Sequence, residues 1–106
     1  MAIVEITEDN FGALVEGADG QVLLDFWAPW CGYCRMLEPV LAELDGDLSA
    51  SGRKVLIGRI NTDEQTGLAE RFGIDALPTL MTFKNGRPAK VEQGFRPKAA
   101  LAAMLD

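Results

Sequence analysis

Cys31-Gly32-Tyr33-Cys34 contains both cysteines of this chain, inside the run Phe26-Trp27-Ala28-Pro29-Trp30-Cys31-Gly32-Tyr33-Cys34-Arg35. Thiolates either hold soft metals or exchange with disulfides. A structural disulfide framework scatters cysteines so that they staple distant segments, whereas a bridge inside C-x-x-C closes a tiny loop and restrains the unfolded chain little. The spacing therefore favours a dithiol that opens and closes. An inert buried dithiol, or half of a metal site shared with a second chain, are the alternatives. The chain has no histidine, which removes Cys–His and Ser–His–Asp nucleophile systems and any Cys2His2 zinc site.

Two charged residues interrupt apolar runs. Asp25 breaks Val22-Leu23-Leu24-Asp25-Phe26-Trp27 and shares a strand face with Leu23 and Trp27. A carboxylate there is costly unless it is paired or protonated; the plain alternative is an exposed acid on a strand edge. Arg59 interrupts Val55–Ile60, where near the strand end it can reach out to water along its aliphatic stem.

The elements that must position these residues follow from periodicity and turn chemistry. Ile3–Ile6 reads as a short strand. Thr7 offers an N-cap for a helix carrying Phe11, Leu14, Val15 and Ala18, closed by Gly17 and Gly20. Val22–Trp27 is a strand of a parallel or mixed sheet, stopped by Ala28-Pro29. A helix begins at about Cys31, with Leu37, Val40, Leu41, Leu44 and Leu48 on one face and a kink expected at Pro39. Lys54–Ile60 is a strand. Asn61, Thr62 and Asp63 offer caps for a helix with Leu68, Ala69 and Phe72, ending at Gly73. Thr79–Phe83 and Ala89–Gln93 form a hairpin across Asn85-Gly86, with Pro88 suiting an edge. Pro97 opens a final helix with Leu101 and Leu105 inward. The order β-α-β-α-β-α-β-β-α predicts an α/β domain, a central mixed sheet with helices on both faces.

In this layout Cys31 sits at a helix start, where free N–H groups and the positive end of the helix stabilise a thiolate and lower the thiol pKa. Cys34, one turn later on nearly the same face, reaches the first sulfur and is expected to be the more buried.

At 106 residues, 48% hydrophobic and 25% charged, the chain is expected to fold as a single domain, residues 1–106, around its own core. Its net charge of −6 makes it a poor ligand for nucleic acid or anionic membrane and favours a monomer. Met1-Ala2-Ile3-Val4-Glu5 has neither a basic segment nor an apolar stretch, so a cytoplasmic address is expected, where C-x-x-C is more often catalytic or metal-binding than structural.

Trp30-Cys31-Gly32-Tyr33-Cys34, followed by Pro39 and by Leu77-Pro78-Thr79, resembles the thioredoxin family over essentially the whole chain. The resemblance implies the thioredoxin fold, with a five-stranded mixed sheet and four helices. It implies a protein-disulfide reductase serving electron transport and redox homeostasis. Cys31 would attack a target disulfide, and Cys34 would resolve the mixed disulfide and leave a Cys31–Cys34 bridge. The resemblance places Asp25 beneath Cys34 as a buried proton acceptor, with Arg59 as its possible partner. It makes Trp30, Gly32, Tyr33, Leu77, cis Pro78 and Gly94 the contacts to substrate. Trp30 would be a platform beside the reactive sulfur, and Leu77 would offer its backbone to an extended segment. No bound cofactor and no metal are implied. Partners are disulfide-containing proteins and a flavoprotein thioredoxin reductase that draws on NADPH.

Two positions depart from the family pattern. Tyr33 replaces the proline most common between the cysteines and adds a backbone donor that favours thiolate, so a less reducing potential is expected than in a Cys-Gly-Pro-Cys relative. Arg59 replaces the usual lysine, and a cation that cannot deprotonate is expected to hold Asp25 more firmly ionised. Competing functions are a disulfide oxidase or isomerase, and a non-catalytic binding module built on the same fold.

Overall fold

The computed structural model describes residues 3–106, so Met1 and Ala2 of the N-terminal stretch lie outside it. Five strands form one sheet in the order β1-β3-β2-β4-β5. They are β1 (Val4–Glu5), β2 (Gln21–Trp27), β3 (Val55–Asn61), β4 (Thr79–Lys84) and β5 (Arg87–Gln93). β3 runs parallel to both β1 and β2, whereas β4 pairs antiparallel with β2 and with β5. The helices are α1 (Gly32–Ala50), α2 (Thr66–Arg71) and α3 (Lys98–Ala103). The mixed α/β architecture expected from the sequence is thus the one observed.

β2 divides the core. Leu23 joins Leu37, Leu41, Leu44 and Leu48 of α1, Ile57, Leu80 and Leu101 on one face of the sheet. Val22, Leu24 and Phe26 point the other way, into a cluster with Ile6, Phe11, Val15, Leu68 and Phe83. Each leucine of the α1 stripe contributes about 2 kcal/mol by leaving water. Asp25 and Arg59 are paired in register across β2 and β3 and have the parity of Leu23 and Ile57. Both therefore face α1.

Several elements differ from the expectation. The first strand is only Val4–Glu5, although the Ile6 N–H still donates to the Arg59 carbonyl at 2.8 Å. The first helix is a π-helical segment, Gly12–Glu16, in which the Gly17 N–H reaches the Gly12 carbonyl at 2.9 Å. The wide turn buries Phe11 and Val15 together but leaves Leu14 36% exposed. The described helices are therefore three α-helices and this π segment. Thr7 and Asn10 do cap the preceding turn, each side-chain oxygen accepting from the other's N–H at 3.3 and 2.8 Å.

Asn61 ends β3 and residues 62–64 turn, with Asn61 Oδ1 accepting from the Asp63 N–H, and α2 begins later, after Gln65. Its start is capped from a distant loop. Glu8 Oε2 accepts from the Gly67 N–H at 2.8 Å, and Gln65 Oε1 accepts from the Glu8 N–H at 2.9 Å. β5 starts at Arg87, before Pro88, and a register irregularity at Thr82/Phe83 accommodates the proline on the edge strand. Asn85 and Gly86, at φ 54° and 78°, make the hairpin turn as read. Pro39 lies inside α1 as read and has no N–H to return to the preceding turn.

Candidate active site

The end of β2 and the start of α1 carry the cysteines. Cys31 is the N-cap residue of α1, extended at φ −87° and ψ 111°. Its Sγ accepts from the Cys34 N–H at 3.2 Å, the bond a serine or aspartate oxygen makes at an ordinary helix start. The capping atom of this helix is therefore a cysteine sulfur. A thiolate there gains the orphan donors and the positive helix end together. The sequence placed the helix start correctly but assigned the extra donor to Tyr33. Among the described hydrogen bonds, the N–H that reaches Cys31 Sγ belongs to Cys34, and Tyr33 stands one position earlier in the first turn.

Cys31 and Cys34 form a disulfide, their Cα atoms 5.2 Å apart. Cys31 is 7% exposed and Cys34 fully buried, the asymmetry expected of an attacking and a resolving sulfur. Trp30, Tyr33 and Met36 are exposed around the bridge and rim it with apolar surface. Trp30 is held in place by Asp63, whose Oδ1 accepts from its indole N–H at 3.2 Å. Arg35 bends back so that Nη1 donates to the Pro29 carbonyl at 2.9 Å, tying α1 to the loop before it.

Leu77-Pro78 is a cis peptide, as the motif implied. The Pro78 carbonyl accepts from the Gly94 N–H at 2.8 Å, and Gly94 has φ 89°, a conformation side chains resist. Gly94 therefore fastens the end of β5 to the cis-proline loop. Gly32 opens α1 between Cys31 and Tyr33.

Beneath α1, Asp25 is fully buried and Arg59 nearly so. Arg59 Nε donates to Asp25 Oδ2 at 3.1 Å, and Nη1 lies 3.5 Å from Glu38 Oε2. The guanidinium carbon stands 4.2 Å from the centre of the Trp27 ring, a cation–π contact. Arg59 thus meets the buried acid rather than reaching out to water. Burial pushes the Asp25 carboxyl up to about 6, and the opposing pull of Arg59 is the smaller effect. Desolvation thus outweighs the cation at this acid. Arg59, Glu38, Trp27, Asn61 and Glu5 line a cavity of about 510 Å³.

The sequence reading missed Glu38 and Asp63 as parts of this region. Glu38 follows Cys34 by one helical turn, so spacing alone could have placed it on the Cys34 side of α1. Asp63 and Arg35 reach their partners through loop geometry that no local pattern encodes.

A family model described as thioredoxin matches residues 2–106. The thioredoxin of Bacillus subtilis (strain 168) is 43% identical over 106 residues, covering 100% of this chain and 97% of the relative. That of Alicyclobacillus acidocaldarius subsp. acidocaldarius is 44% identical over 104 residues, covering 98% and 95%. With a Cys31–Cys34 bridge at the start of α1 and a match along the whole chain, this protein belongs to the thioredoxin family.

Proposed function

We propose that the protein works as a disulfide reductase in which Cys31 attacks and Cys34 resolves. As a thioredoxin-family member it is a thiol–disulfide oxidoreductase, its redox centre the Cys31–Cys34 pair and its targets disulfide-containing proteins. In the first step the Cys31 thiolate forms an S–S bond to one target sulfur, and the other target sulfur leaves as thiolate. Cys34 then loses its proton to Asp25 and attacks Cys31. The mixed disulfide breaks, the second target sulfur leaves, and two electrons have passed from the dithiol to the target. Trp30, Gly32, Tyr33, Leu77, Pro78 and Gly94 form the surface on which the target segment lies.

The observation that carries this reading is the Cys31 sulfur acting as the N-cap of α1 with Cys34 buried behind it. It makes the outer thiol the better anion and leaves the inner one to act on a sulfur already bound. A buried acid on the same face of the sheet, with its carboxyl near 6, suits a proton acceptor for a thiol near neutral pH.

The one sheet that carries all five strands supports a single domain over residues 1–106. Re-reduction by a flavoprotein thioredoxin reductase using NADPH, in a reducing cytoplasm, suits this direction of electron flow. Among the described residues, no helix is long and apolar enough to cross a membrane.

The test is reduction of a protein disulfide by the full chain beside Cys31→Ser and Cys34→Ser. Cys31→Ser is expected to be inert and Cys34→Ser to accumulate a mixed disulfide through Cys31. A mixed disulfide trapped by Cys31→Ser instead reverses the two roles. Activity that survives loss of both cysteines points to a binding module.

A further inference from the structure

Arg59 serves two carboxylates at once. A guanidinium that faces a single carboxylate commonly closes on both oxygens with two parallel N–H···O bonds. Here Nε holds Asp25 Oδ2, while Nη1 turns to Glu38 and the Trp27 ring packs against the guanidinium. Asp25 Oδ1 and Arg59 Nη2 are buried without a protein hydrogen-bond partner among the described residues. The second bond of the fork is not made, and the arm of the guanidinium that Glu38 draws on is Nη1, beside the unpaired Nη2.

This division matters for proton transfer. A carboxylate locked by both arms of an arginine stays ionised far below the pH at which thiols react, and takes up a proton poorly. Lysine can relieve that lock by losing its own proton; arginine cannot. With arginine at this position, dividing the guanidinium is the remaining way to loosen its hold. Glu38 is more than half exposed, so its own charge is cheap to keep beside the buried pair.

The groups facing Asp25 are few. β3 contributes Arg59, and α1 contributes Glu38 with Cys34 at its start. β1 contributes Glu5, on the wall of the same cavity, and the β4 residue in register with Asp25 is the apolar Leu80. That cavity has Glu5, Glu38 and Asn61 beside Arg59 in its lining and is large enough for water to reach the guanidinium.

We propose that Glu38 is a positioning residue for disulfide exchange: by drawing Arg59 toward itself it leaves one oxygen of Asp25 open and keeps that carboxyl able to take the Cys34 proton. The inference rests on the role proposed above for Asp25.

The test is a carboxyl-carbon NMR titration of the full oxidised chain, run beside the pH profile for resolution of a mixed disulfide. Glu38→Gln is expected to lower the Asp25 midpoint by about half a unit and to move the rate profile with it. Glu70→Gln, on the opposite face of the sheet, is expected to move neither. Repeating Glu38→Gln in an Arg59→Met background is expected to shrink the shift by at least half. Arg59→Lys, whose single ammonium does not divide in the same way, serves as a second background. An unmoved or raised midpoint in Glu38→Gln, or a shift that persists in full without Arg59, overturns the inference. A moved midpoint with an unmoved rate profile overturns instead the acceptor role on which it rests.

Discussion

The two sides of β2 are built from alternate residues of one strand and have opposite character. Val22, Leu24 and Phe26 enter a cluster in which Phe11, Phe72 and Phe83 meet edge to face or tilted, ring centres 5.6 to 5.9 Å apart. Leu23, Asp25 and Trp27 face α1, where a fully buried carboxylate lies against a nearly buried guanidinium. One side is held by apolar burial and ring packing, which favour a single arrangement. The other carries a desolvated acid that opposes folding whenever it is ionised. The reactive sulfurs sit at the start of α1, the helix that covers the second side. The lesson is that the cost of the chemistry is confined to one face of the sheet, and the opposite face supplies the compensating stability.

The largest effect on this contrast is expected from Phe26→Ala. Phe26 is fully buried, and its loss removes about 3–5 kcal/mol of stability by deleting apolar contacts and leaving a cavity. Urea unfolding measures the loss, and the pH profile of exchange by the folded protein should be unchanged. A changed profile would mean that the aromatic face takes part in proton transfer.

Asp25→Asn is expected to act in the opposite sense. In the folded state the carboxyl titrates at about 6 rather than its ordinary 3.8, so the native protein holds this proton more tightly than the unfolded chain. Stability is then full below about pH 4, falls as pH rises toward 6, and stays reduced above it. At neutral pH the cost approaches about 3 kcal/mol. Asn removes it, less what Arg59 loses with its partner. The variant should therefore be more stable than the parent at pH 7 and lose that advantage near pH 3.5, while resolving mixed disulfides more slowly. Unfolding curves across this range check the sign. Destabilisation at pH 7 would make the two faces energetically alike and remove the contrast.

Much of this contrast was legible before any coordinates. Asp25 announced itself by breaking an apolar strand, and strand parity put it on the side of Leu23 and Trp27. The C-x-x-C, Pro78 and the Asn85-Gly86 turn were local signals with local outcomes. The partner of Asp25 was less certain, because pairing across β2 and β3 depends on a register that spans 34 positions of the chain. The capping of α2 by Glu8 was hidden for the same reason: Glu8 and Gly67 are 59 positions apart. The π-helical turn at Gly12–Glu16 was read as an ordinary helix, since one extra residue per turn still brings Phe11 and Val15 inward and leaves the apolar pattern unchanged.

That distant cap gives a smaller test, again on the aromatic side. A Cβ on Gly67 would come within 2.7 Å of the Glu8 carboxylate. Gly67→Ala should displace the cap and cost about 1 kcal/mol, against a small gain in helix propensity. Glu8→Gln, which keeps the acceptor oxygen but loses its charge, should cost about half as much. Thermal unfolding separates them. A Gly67→Ala protein as stable as the parent would show that the cap adds nothing to this face.

Tyr33→Pro is expected to have the smallest effect, and it tests the α1 side where that side meets solvent. Tyr33 lies in the first turn of α1 with its side chain exposed, so the substitution leaves the core untouched. Proline fits the opening of a helix but removes the Tyr33 N–H from the free donors at the helix start. Cys34 still supplies its direct bond to the Cys31 sulfur, so only part of the stabilisation is lost. One donor at a helix N-terminus is worth about 0.5–1 kcal/mol to an anion. The thiolate exists only in the reduced protein, so its loss makes the disulfide harder to reduce. The potential of Tyr33→Pro should fall by about 10–20 mV, with 30 mV corresponding to 1.4 kcal/mol for two electrons. Equilibration of both proteins against glutathione measures the difference, and a parent potential equal to or below that of the proline variant would show that Tyr33 does not set the poise. A fall much larger than this would mean that proline also disturbs the Cys34 N–H, and that the two donors act as one unit.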